Sequence, residues 1–464
     1  MDYNELVKGY YDEAINKLKE WIKIDSVYDE QTKTDEHPFG YGVHSALEYI
    51  ACLAEKKGFN VDRCDGYCTE ISYGEGKRLI GIFAHADVVP VSGDWTHAPF
   101  SGDIENDIMY GRGTSDDKGP AMAAFYALCA LKDSGLIKGF KVVLVIGGNE
   151  ESGSACLEYY HKVLLKDYPD YGFTPDGDFP LIYGEKGICN YKVYGTTDLY
   201  PVLRIHAGVV ANSVIDVAEA IVVKDESIEE DLEESNYEYK VEHDNNNTYI
   251  KFFGKAAHGS TPEAGVNAGV QLLEFLGSKY NLDDLKDIAY AYANPDGSNM
   301  NEYHESKELH GTTYNVGIIN YDNMEFNMIV NFRYPENVQV HPLITRINSN
   351  TPFTSEIIGE PSEPLLFDPN CRMVKALEEV YVTETGDTVN KKKTIGGGTY
   401  AKETQNVVAF GSAFPGLDCR IHNSDEFIPL EDFRKSMAIY AHAIVALGIE
   451  VWEWNINHGL NHFY

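Results

Sequence analysis

The hydrophobic positions along the chain alternate between helical spacing and continuous apolar runs. Residues 43–58 (VHSALEYIACLAEKKG) carry apolar side chains at helical intervals and end at a glycine, a typical helix stop. Residues 79–84, and residues 142–146 within the stretch 140–152, are unbroken apolar runs, as expected for strands that are buried on both faces. The Ala- and Leu-rich stretch 119–132 lies between them and predicts a packing helix. This order predicts an α/β domain with a mixed, largely parallel sheet.

The pattern changes after Lys186, and this change predicts two domains. The chain becomes richer in alternating and acidic segments there, and packing-helix and glycine-rich patterns return only after about residue 365. At 464 residues the chain is also long for a single hydrophobic core. We therefore predict a discontinuous catalytic domain, residues 1–186 and 365–464, interrupted by an enlarged, inserted α+β domain, residues 187–364.

Composition narrows the range of partners. The formal charge of −35 would repel phosphate backbones and anionic lipid, so we expect neither nucleic-acid nor membrane partners. The first 21 residues read as an amphipathic helix without the features of a signal peptide, and no apolar run approaches the roughly 20 residues of a membrane span. We expect a cytoplasmic protein whose eight scattered cysteines are reduced thiols. Any metal should then be held by His, Asp and Glu.

Polar clusters follow the two predicted buried strands. The first strand runs into His85 and Asp87, which share a face because side chains two residues apart on a strand point the same way. These residues indicate a metal ligand with its orienting carboxylate or, as the alternative, a polar strand end bonded to a backbone carbonyl. The second strand runs out onto Glu150 and Glu151, whose neighbouring charges repel unless a cation lies nearby. The alternative there is an ordinary first turn of a helix.

Three further clusters lie in turns. Two adjacent aspartates, Asp116 and Asp117, follow a glycine-rich turn and indicate either a metal ligand or a helix cap. Asp176, with Asp178 two residues later, lies in a turn between prolines, and His422 occurs late in the chain near further acids. Either of the last two clusters alone reads as a simple turn.

Counting charges tests these clusters as one set of ligands. His85, Asp116, Glu151, Asp176 and His422 supply three carboxylates and two neutral imidazoles. Two divalent cations would leave a surplus charge of about +1, which suits ions that activate water, and a carboxylate such as Asp116 can bridge two ions. Glu150 would then be free to act as general base. Oxygen and nitrogen ligands suit zinc, with manganese or cobalt as alternatives.

The order of the motifs resembles a known family. The chain resembles the di-zinc dipeptidases of the PepV type, within the superfamily of aminoacylases, glutamate carboxypeptidases and succinyl-diaminopimelate desuccinylases. The resemblance spans about residues 15–460 and rests on six ordered strings: H-x-D-V-V-P, G-R-G-x-x-D-D-K-G-P, N-E-E-x-G-S, T-P-D-x-x-F-P, G-K-x-A-H-G-S-x-P and G-G-G-T-Y-A.

The resemblance implies how the ligands are shared between two metals. One metal would be held by His85 and Asp176 and the other by Glu151 and His422, with Asp116 as the bridge. Asp87 would orient His85, and Glu150 would activate the water. The family typically has a cis peptide bond after the bridging aspartate, which here is the Asp116–Asp117 bond.

The resemblance also identifies the inserted domain as a lid with substrate-binding residues. His258, in the segment GKAAHGSTPEAGVNA, would reach over the site and stabilise the oxyanion, as preorganised donors do. Asn212 and Arg333 match lid groups that grip the free carboxylate of the substrate, for which a planar guanidinium is suited. Gly398 of the G-G-G-T-Y-A string would complete the substrate site. The alternatives are a turn histidine and a surface arginine.

These features predict a metal-dependent dipeptidase that requires a free C-terminal carboxylate. The predicted lid is roughly twice the length of that in dimeric relatives, so we expect a monomer that supplies its own oxyanion histidine. An N-acyl amino acid deacylase or desuccinylase with the same site is the alternative. A non-catalytic metal-binding protein is a remote one, because every expected ligand and Glu150 are present.

Overall fold

The computed structural model describes residues 1–233 and 235–449, so the end of the predicted catalytic domain, residues 450–464, lies outside the described residues. The chain forms two compact units. One comprises residues 1–183, 367–393 and 399 onward, and the other residues 184–366 and 394–398. We call them the catalytic unit and the lid unit.

The helices in the described residues lie at or near the stretches in which apolar residues recur at helical intervals. The predicted helix at 43–58 is present as α3, and the amphipathic N-terminal stretch contains α2. The helices are α1 (Tyr3–Val7), α2 (Tyr11–Ile22), α3 (Tyr41–Lys56), α4 (Lys118–Asp133), α5 (Ala155–Glu158), α6 (Ile228–Glu233), α7 (Ala268–Tyr280), α8 (Asp283–Ala293), α9 (Val340–Asn350), α10 (Arg372–Thr385) and α11 (Leu430–Gly448).

Strands make up both sheets and two small ribbons. They are β1 (Asn60–Asp62), β2 (Cys68–Gly74), β3 (Gly76–His85), β4 (Asp103–Glu105), β5 (Ile108–Tyr110), β6 (Gly139–Gly147), β7 (Tyr171–Thr174), β8 (Ile182–Glu185), β9 (Gly187–Thr196), β10 (Val202–Ala207), β11 (Val217–Val223), β12 (Glu238–His243), β13 (Asn247–Phe253), β14 (Glu305–Ser306), β15 (His310–Gly311), β16 (Thr313–Asp322), β17 (Glu325–Tyr334), β18 (Thr354–Ser362), β19 (Leu365–Leu366), β20 (Lys393–Ile395), β21 (Val407–Ala409) and β22 (Phe427–Pro429).

The main sheet of the catalytic unit is mixed, which confirms the predicted fold class. Its strand order is β1-β2-β6-β3-β7-β21-β8-β19, with β20 paired to β8. Parallel pairing joins the four central strands β6, β3, β7 and β21, whereas β1, β2 and β6 at one end and β21, β8 and β19 at the other pair antiparallel. Helices α4 and α11 pack on each other and against β3, and α4 is buried from Lys118 to Leu131. The central strands are therefore covered, as their continuous apolar sequences require.

The lid unit is built on an eight-stranded antiparallel sheet, ordered β12-β13-β11-β10-β16-β17-β9-β18. Strand β9 alternates buried and half-buried side chains, the period-two pattern of a sheet with one face in a core. Helices α7, α8 and α9 supply apolar side chains to that core. This unit therefore has its own hydrophobic core.

The unit boundaries differ slightly from the predicted ones, and a short segment lies in a different unit. The sequence suggested 187–364 for the inserted domain, but residues 394–398, placed in the catalytic domain, group with the lid unit. The Lys186 amide donates to the Ile395 carbonyl at 3.0 Å, and the Thr394 hydroxyl donates to the Glu308 carbonyl at 2.6 Å. These bonds tie the segment that includes Gly398 to the lid unit.

The sequence predicts reduced cysteines and no membrane span. All eight cysteines are free thiols. Among the described residues, no helix combines the length and the apolar character needed to cross a bilayer.

Candidate metal centre

Three neighbouring parallel strands end at one edge of the catalytic sheet, and each is followed by acidic or histidine residues. In the β3–β6 ladder His85 pairs with Gly147, three residues before Glu150, and β7 runs parallel on the other side of β3, ending just before Asp176. Carboxyl ends of parallel strands are the usual place for sites in α/β sheets. The topology therefore brings residues from distant parts of the sequence to one edge.

His85 presents one ring nitrogen to the carboxylates. Its side chain is fully buried, and Nδ1 lies 3.0 Å from the backbone oxygen of Asp87. A carbonyl oxygen can only accept, so Nδ1 carries a proton, and Nε2 is the ring nitrogen that faces the carboxylates. Nε2 lies 3.0 Å from Oδ1 of Asp116 and 3.8 Å from Oδ2 of Asp176. These three side chains form a first group of donors that could hold a cation.

His422 forms a second group with the other oxygen of Asp116. Its Nε2 lies 2.8 Å from Asp116 Oδ2 and 3.1 Å from Glu151 Oε1. In each group the donor atoms lie within 4.8 Å of one another. Asp116 thus turns one carboxylate oxygen toward each histidine, the arrangement expected of a bridging ligand. The Asp116–Asp117 peptide bond is cis, as the resemblance implied.

The charges in these groups call for cations. Burial, followed by the negative charge of Asp116, raises the pKa of Asp176 and that of Glu151 to about 7. Burial opposes ionisation of Asp116 too, but the imidazoles of His422 and His85 lower the pKa of this carboxyl below its usual range. In the described part of the chain, the ion pairs of these three carboxylates are all with the two histidines. Nitrogen and oxygen donors of this kind fit two divalent ions.

Asp87 acts through different atoms from those predicted. The sequence suggested that its carboxylate orients His85, but the closer contact of the ring is with the Asp87 carbonyl, and the carboxylate Oδ1 lies 3.5 Å from Nδ1. The carboxylate instead accepts the backbone N–H groups of Glu150 at 3.0 Å and Glu151 at 3.1 Å. It therefore fixes the strand end that carries both glutamates.

Glu150 lies beside the donor groups without belonging to either. Burial raises the pKa of the Glu150 carboxyl well above its ordinary value; His85 opposes the shift, and the nearby carboxylates Asp176 and Glu151 add to it. A carboxyl with a raised pKa beside candidate metal ligands can exchange a proton near neutral pH, which is the property expected of a general base.

Two alternatives from the sequence can be assigned from the contacts. Asp178 forms an ion pair with Lys393 at 2.7 Å and belongs to neither donor group. Asp117 precedes α4, but its side chain makes no capping bond there; it accepts the backbone N–H of His85 at 3.1 Å. Helix capping is therefore the wrong explanation for Asp117.

Sequence reasoning also missed two buried charged residues beside the centre, Arg112 and Glu426, which form an ion pair at 2.7 Å. Arg112 lies in the G-R-G turn before Asp116, and Glu426 follows His422 by four residues. The one available sequence signal was the placement of an arginine between two glycines, Gly111 and Gly113.

The residues predicted in the lid form a local cluster of their own. The His258 Nδ1 lies 2.7 Å from the Ser260 hydroxyl, and the next residue, Gly259, donates its N–H to the Asn212 carbonyl at 2.7 Å. Arg333, 5% exposed, donates from Nε to Asn331 Oδ1 at 2.7 Å and from Nη1 to the Gly396 carbonyl at 3.2 Å. Burial lowers the pKa of its guanidinium to about 10.

Comparison with known proteins identifies the family. Residues 81–446 match the model of "Peptidase family M20/M25/M40". The chain belongs to this family. The matched range includes every candidate ligand and the whole lid unit.

Curated relatives and solved structures agree with this membership. "Putative dipeptidase YtjP" of Bacillus subtilis (strain 168) is 34% identical over 457 residues, covering 94% of this chain and 97% of that protein. A similarly named protein of Staphylococcus aureus (strain USA300) is 33% identical over 471 residues, covering 97% of this chain and 100% of that protein. The M20 chain is thus a hydrolase of the peptidase class.

Solved structures share the fold at low sequence identity. The di-peptidase Dug1p of Saccharomyces cerevisiae has a TM-score of 0.60 at 15% identity, covering 97% of this chain and 98% of that one. Human carnosine dipeptidase 1 has a TM-score of 0.59 at 15% identity, covering 96% and 98%. At this identity the likeness concerns the fold alone.

The shared carboxylate gives a prediction about metal stoichiometry. We expect the wild-type protein to bind two divalent ions, one for each donor group. Asp176→Asn should lose one of them, since Asp176 belongs to a single group, whereas Asp116→Asn should weaken both. Equilibrium dialysis with metal analysis measures this, with Asp178→Asn as the matched control. Two ions retained at full affinity in Asp116→Asn would contradict the bridging role.

The pKa shifts predict how metal binding depends on pH. Asp176 and Glu151, with pKa values of about 7, are increasingly protonated below neutral pH and must lose those protons to act as ligands. Protons therefore compete with metal, and each of these two carboxyls should lower the affinity by about tenfold in total as the pH decreases from 8 to 6. Competition with a chelator of known pH dependence measures the change. A pH-independent affinity over this range would exclude the assignment.

Proposed function

We propose that this M20 peptidase is a metal-dependent dipeptidase that cleaves dipeptides with a free C-terminal carboxylate. The observation that carries the proposal is the pair of donor groups sharing Asp116, with Glu150 beside them. The names of the curated relatives support the choice of dipeptides over other amide substrates. The donor types favour zinc, and manganese or cobalt would also suit them.

Bound divalent ions would polarise the scissile carbonyl. They would also lower the pKa of a bound water, so that it can lose a proton and attack the carbonyl near neutral pH. We assign the proton transfers to Glu150. Its carboxylate would accept a proton from the attacking water as the new C–O bond forms, and would return it to the amine as the C–N bond breaks. The Asp87 carboxylate supports this role by holding the Glu150 backbone.

We assign the oxyanion contact to His258. The backbone N–H of Ser260 donates to Nδ1 of His258 at 3.3 Å, so Nδ1 is an acceptor and the neutral ring carries its proton on Nε2. Such a ring offers one fixed N–H donor. A preorganised donor of this kind stabilises negative charge that develops on the carbonyl oxygen.

We assign recognition of the substrate carboxylate to Arg333, together with Asn212 and Gly398. The guanidinium is buried, and it donates to the neutral oxygens of Asn331 and Gly396. Among the described residues no carboxylate forms an ion pair with it. A buried cation without an anionic partner is costly, and a bidentate carboxylate would compensate it. Selection for a free carboxylate near the scissile bond would restrict the enzyme to short substrates.

The proposal includes a cytoplasmic monomer without nucleic-acid or membrane partners. The monomer rests on the length of the inserted domain, predicted as residues 187–364, which is roughly twice that of dimeric relatives and would let the chain supply its own His258. The net charge of −35 disfavours polyanionic surfaces.

Replacing Glu150 separates chemistry from metal binding. Glu150→Gln keeps the size of the side chain but removes its basicity, so kcat for dipeptide hydrolysis should fall by about 10²–10⁴-fold. The two metals should remain bound, because Glu150 belongs to neither donor group. Steady-state kinetics and metal analysis are compared with Glu158→Gln, a surface variant whose glutamate pairs with Lys162. Full activity in Glu150→Gln would contradict the assignment.

Arg333 can be tested through substrate choice. Arg333→Met should lower kcat/KM for a free dipeptide by about 30-fold or more, the cost of losing a buried charge partner, while the poor cleavage of the C-terminally amidated dipeptide stays unchanged. The ratio of the two rates therefore collapses. Arg204→Met, at an exposed position in the same sheet, should keep the wild-type ratio. Equal preference for both substrates in the wild type would point instead to a different recognition mode.

A further inference from the structure

A buried ion pair lies behind the candidate metal centre, between the two segments that supply Asp116 and His422. Arg112 Nη1 and Glu426 Oε2 are 2.7 Å apart, and the residues are 1% and 0% exposed. Both belong to the catalytic unit. The pair is not among the donor groups, so neither residue is itself a candidate ligand.

The carboxylate of Glu426 holds the turn that ends at Asp116. Its Oε1 accepts three backbone N–H groups, from Gly113 at 3.1 Å, Ser115 at 2.9 Å and Asp116 at 3.2 Å. The Glu426 carbonyl also accepts the N–H of Gly111 at 2.9 Å. The backbone on the N-terminal side of the bridging aspartate is thus wrapped around one carboxylate.

Arg112 extends the same network to the histidine segment. Besides pairing with Glu426, its Nη1 donates to the carbonyl of Asn423, the residue after His422, at 3.3 Å. His422 has a left-handed backbone with φ of +64°, a conformation that a non-glycine residue keeps only when its surroundings hold it. The guanidinium therefore contacts the segment that contains His422, whose backbone conformation needs stabilising contacts.

The ion pair of Arg112 and Glu426 is expected to add little to the free energy of folding. A buried ion pair recovers little more than the cost of removing its charges from water. Moreover, within the described residues Nε and Nη2 of Arg112 have no hydrogen-bond partner, so the guanidinium is only partly satisfied. Its hydrogen bonds are instead concentrated on the two segments that bear Asp116 and His422, while its face lies over the ring of Trp95.

We propose that Arg112 and Glu426 are positioning residues that set the distance between the bridging Asp116 and His422. The inference rests on the proposed two-metal function. It predicts an asymmetric effect, since two of the three donors in the Asp116, Glu151 and His422 group depend on the pair. In the His85, Asp116 and Asp176 group only Asp116 does.

The test measures the affinity of each of two zinc ions in the Glu426→Gln variant. The uncharged amide places an N–H₂ or a weaker acceptor against Arg112 and loosens both segments. Competition with a chromophoric chelator should show one zinc ion bound about 10–100-fold more weakly, the usual effect of removing an outer-shell partner, and the other changed far less. This readout does not depend on activity.

Glu302→Gln is the matched control. Glu302 is also a buried carboxylate, 4% exposed at its side chain; it accepts two bonds from Arg346 within the lid unit and belongs to neither donor group. Its variant should lose thermal stability while both zinc affinities stay at wild-type values. This comparison separates a loss of folding stability from a loss of ligand placement.

The inference is overturned if Glu426→Gln, like the control, keeps both zinc affinities, or if it weakens both equally. If Glu426→Gln does not fold, Arg112→Lys replaces it. Lysine keeps the positive charge but cannot contact Glu426 and Asn423 with one rigid fork, so the same one-sided loss is expected, and unchanged affinities overturn the inference. A wild-type protein that fails to bind two zinc ions would refute the proposed function first, and the inference with it.

Discussion

The placement of Asp116 between two histidines is the constraint on which the rest of the catalytic unit depends. Its two oxygens lie 3.0 Å from His85 and 2.8 Å from His422, inside a buried cluster of carboxylates that repel one another. Such a cluster is stable only when its geometry is imposed by the surrounding fold and its charge is neutralised by cations. Parallel strands fix His85 and Asp176, and buried carboxylates hold the backbone amides of Asp116 and Glu151. The segment of His422 is contacted by Arg112 through the Asn423 carbonyl.

Buried carboxylates that bind backbone N–H groups recur around the centre. Asp87 accepts the amides of Glu150 and Glu151, Asp117 accepts that of His85, and Glu426 accepts three amides that end at Asp116. Each of these carboxylates binds the main chain of a candidate ligand or base. The side chain of that ligand or base takes no part in the bond. The side chains that face the cations are therefore positioned without losing their donor atoms.

Much of this arrangement was predictable because it follows from strand ends. An apolar run that stops at a histidine or at paired glutamates can be read directly from the sequence. Parallel pairing then brings the ends of such strands to one edge of the sheet. What could not be predicted were contacts between segments far apart in the chain. The bond from His85 goes to the Asp87 carbonyl and not to its carboxylate, and the Glu426 amide cradle spans more than 300 residues of sequence. Likewise, the segment 394–398 joins the lid unit through hydrogen bonds to Lys186 and Glu308 that the composition of the segment does not reveal.

The central claim is that peptide hydrolysis depends on two divalent ions held through Asp116. The most direct measurement is a titration of metal-free protein with zinc while dipeptide cleavage is followed by mass spectrometry, with tripeptides, amidated dipeptides and N-acyl amino acids as parallel substrates. The account predicts activity that rises to a plateau at two zinc ions per chain and is confined to free dipeptides. Activity without metal, or equal cleavage of amidated dipeptides or N-acyl amino acids, would contradict it.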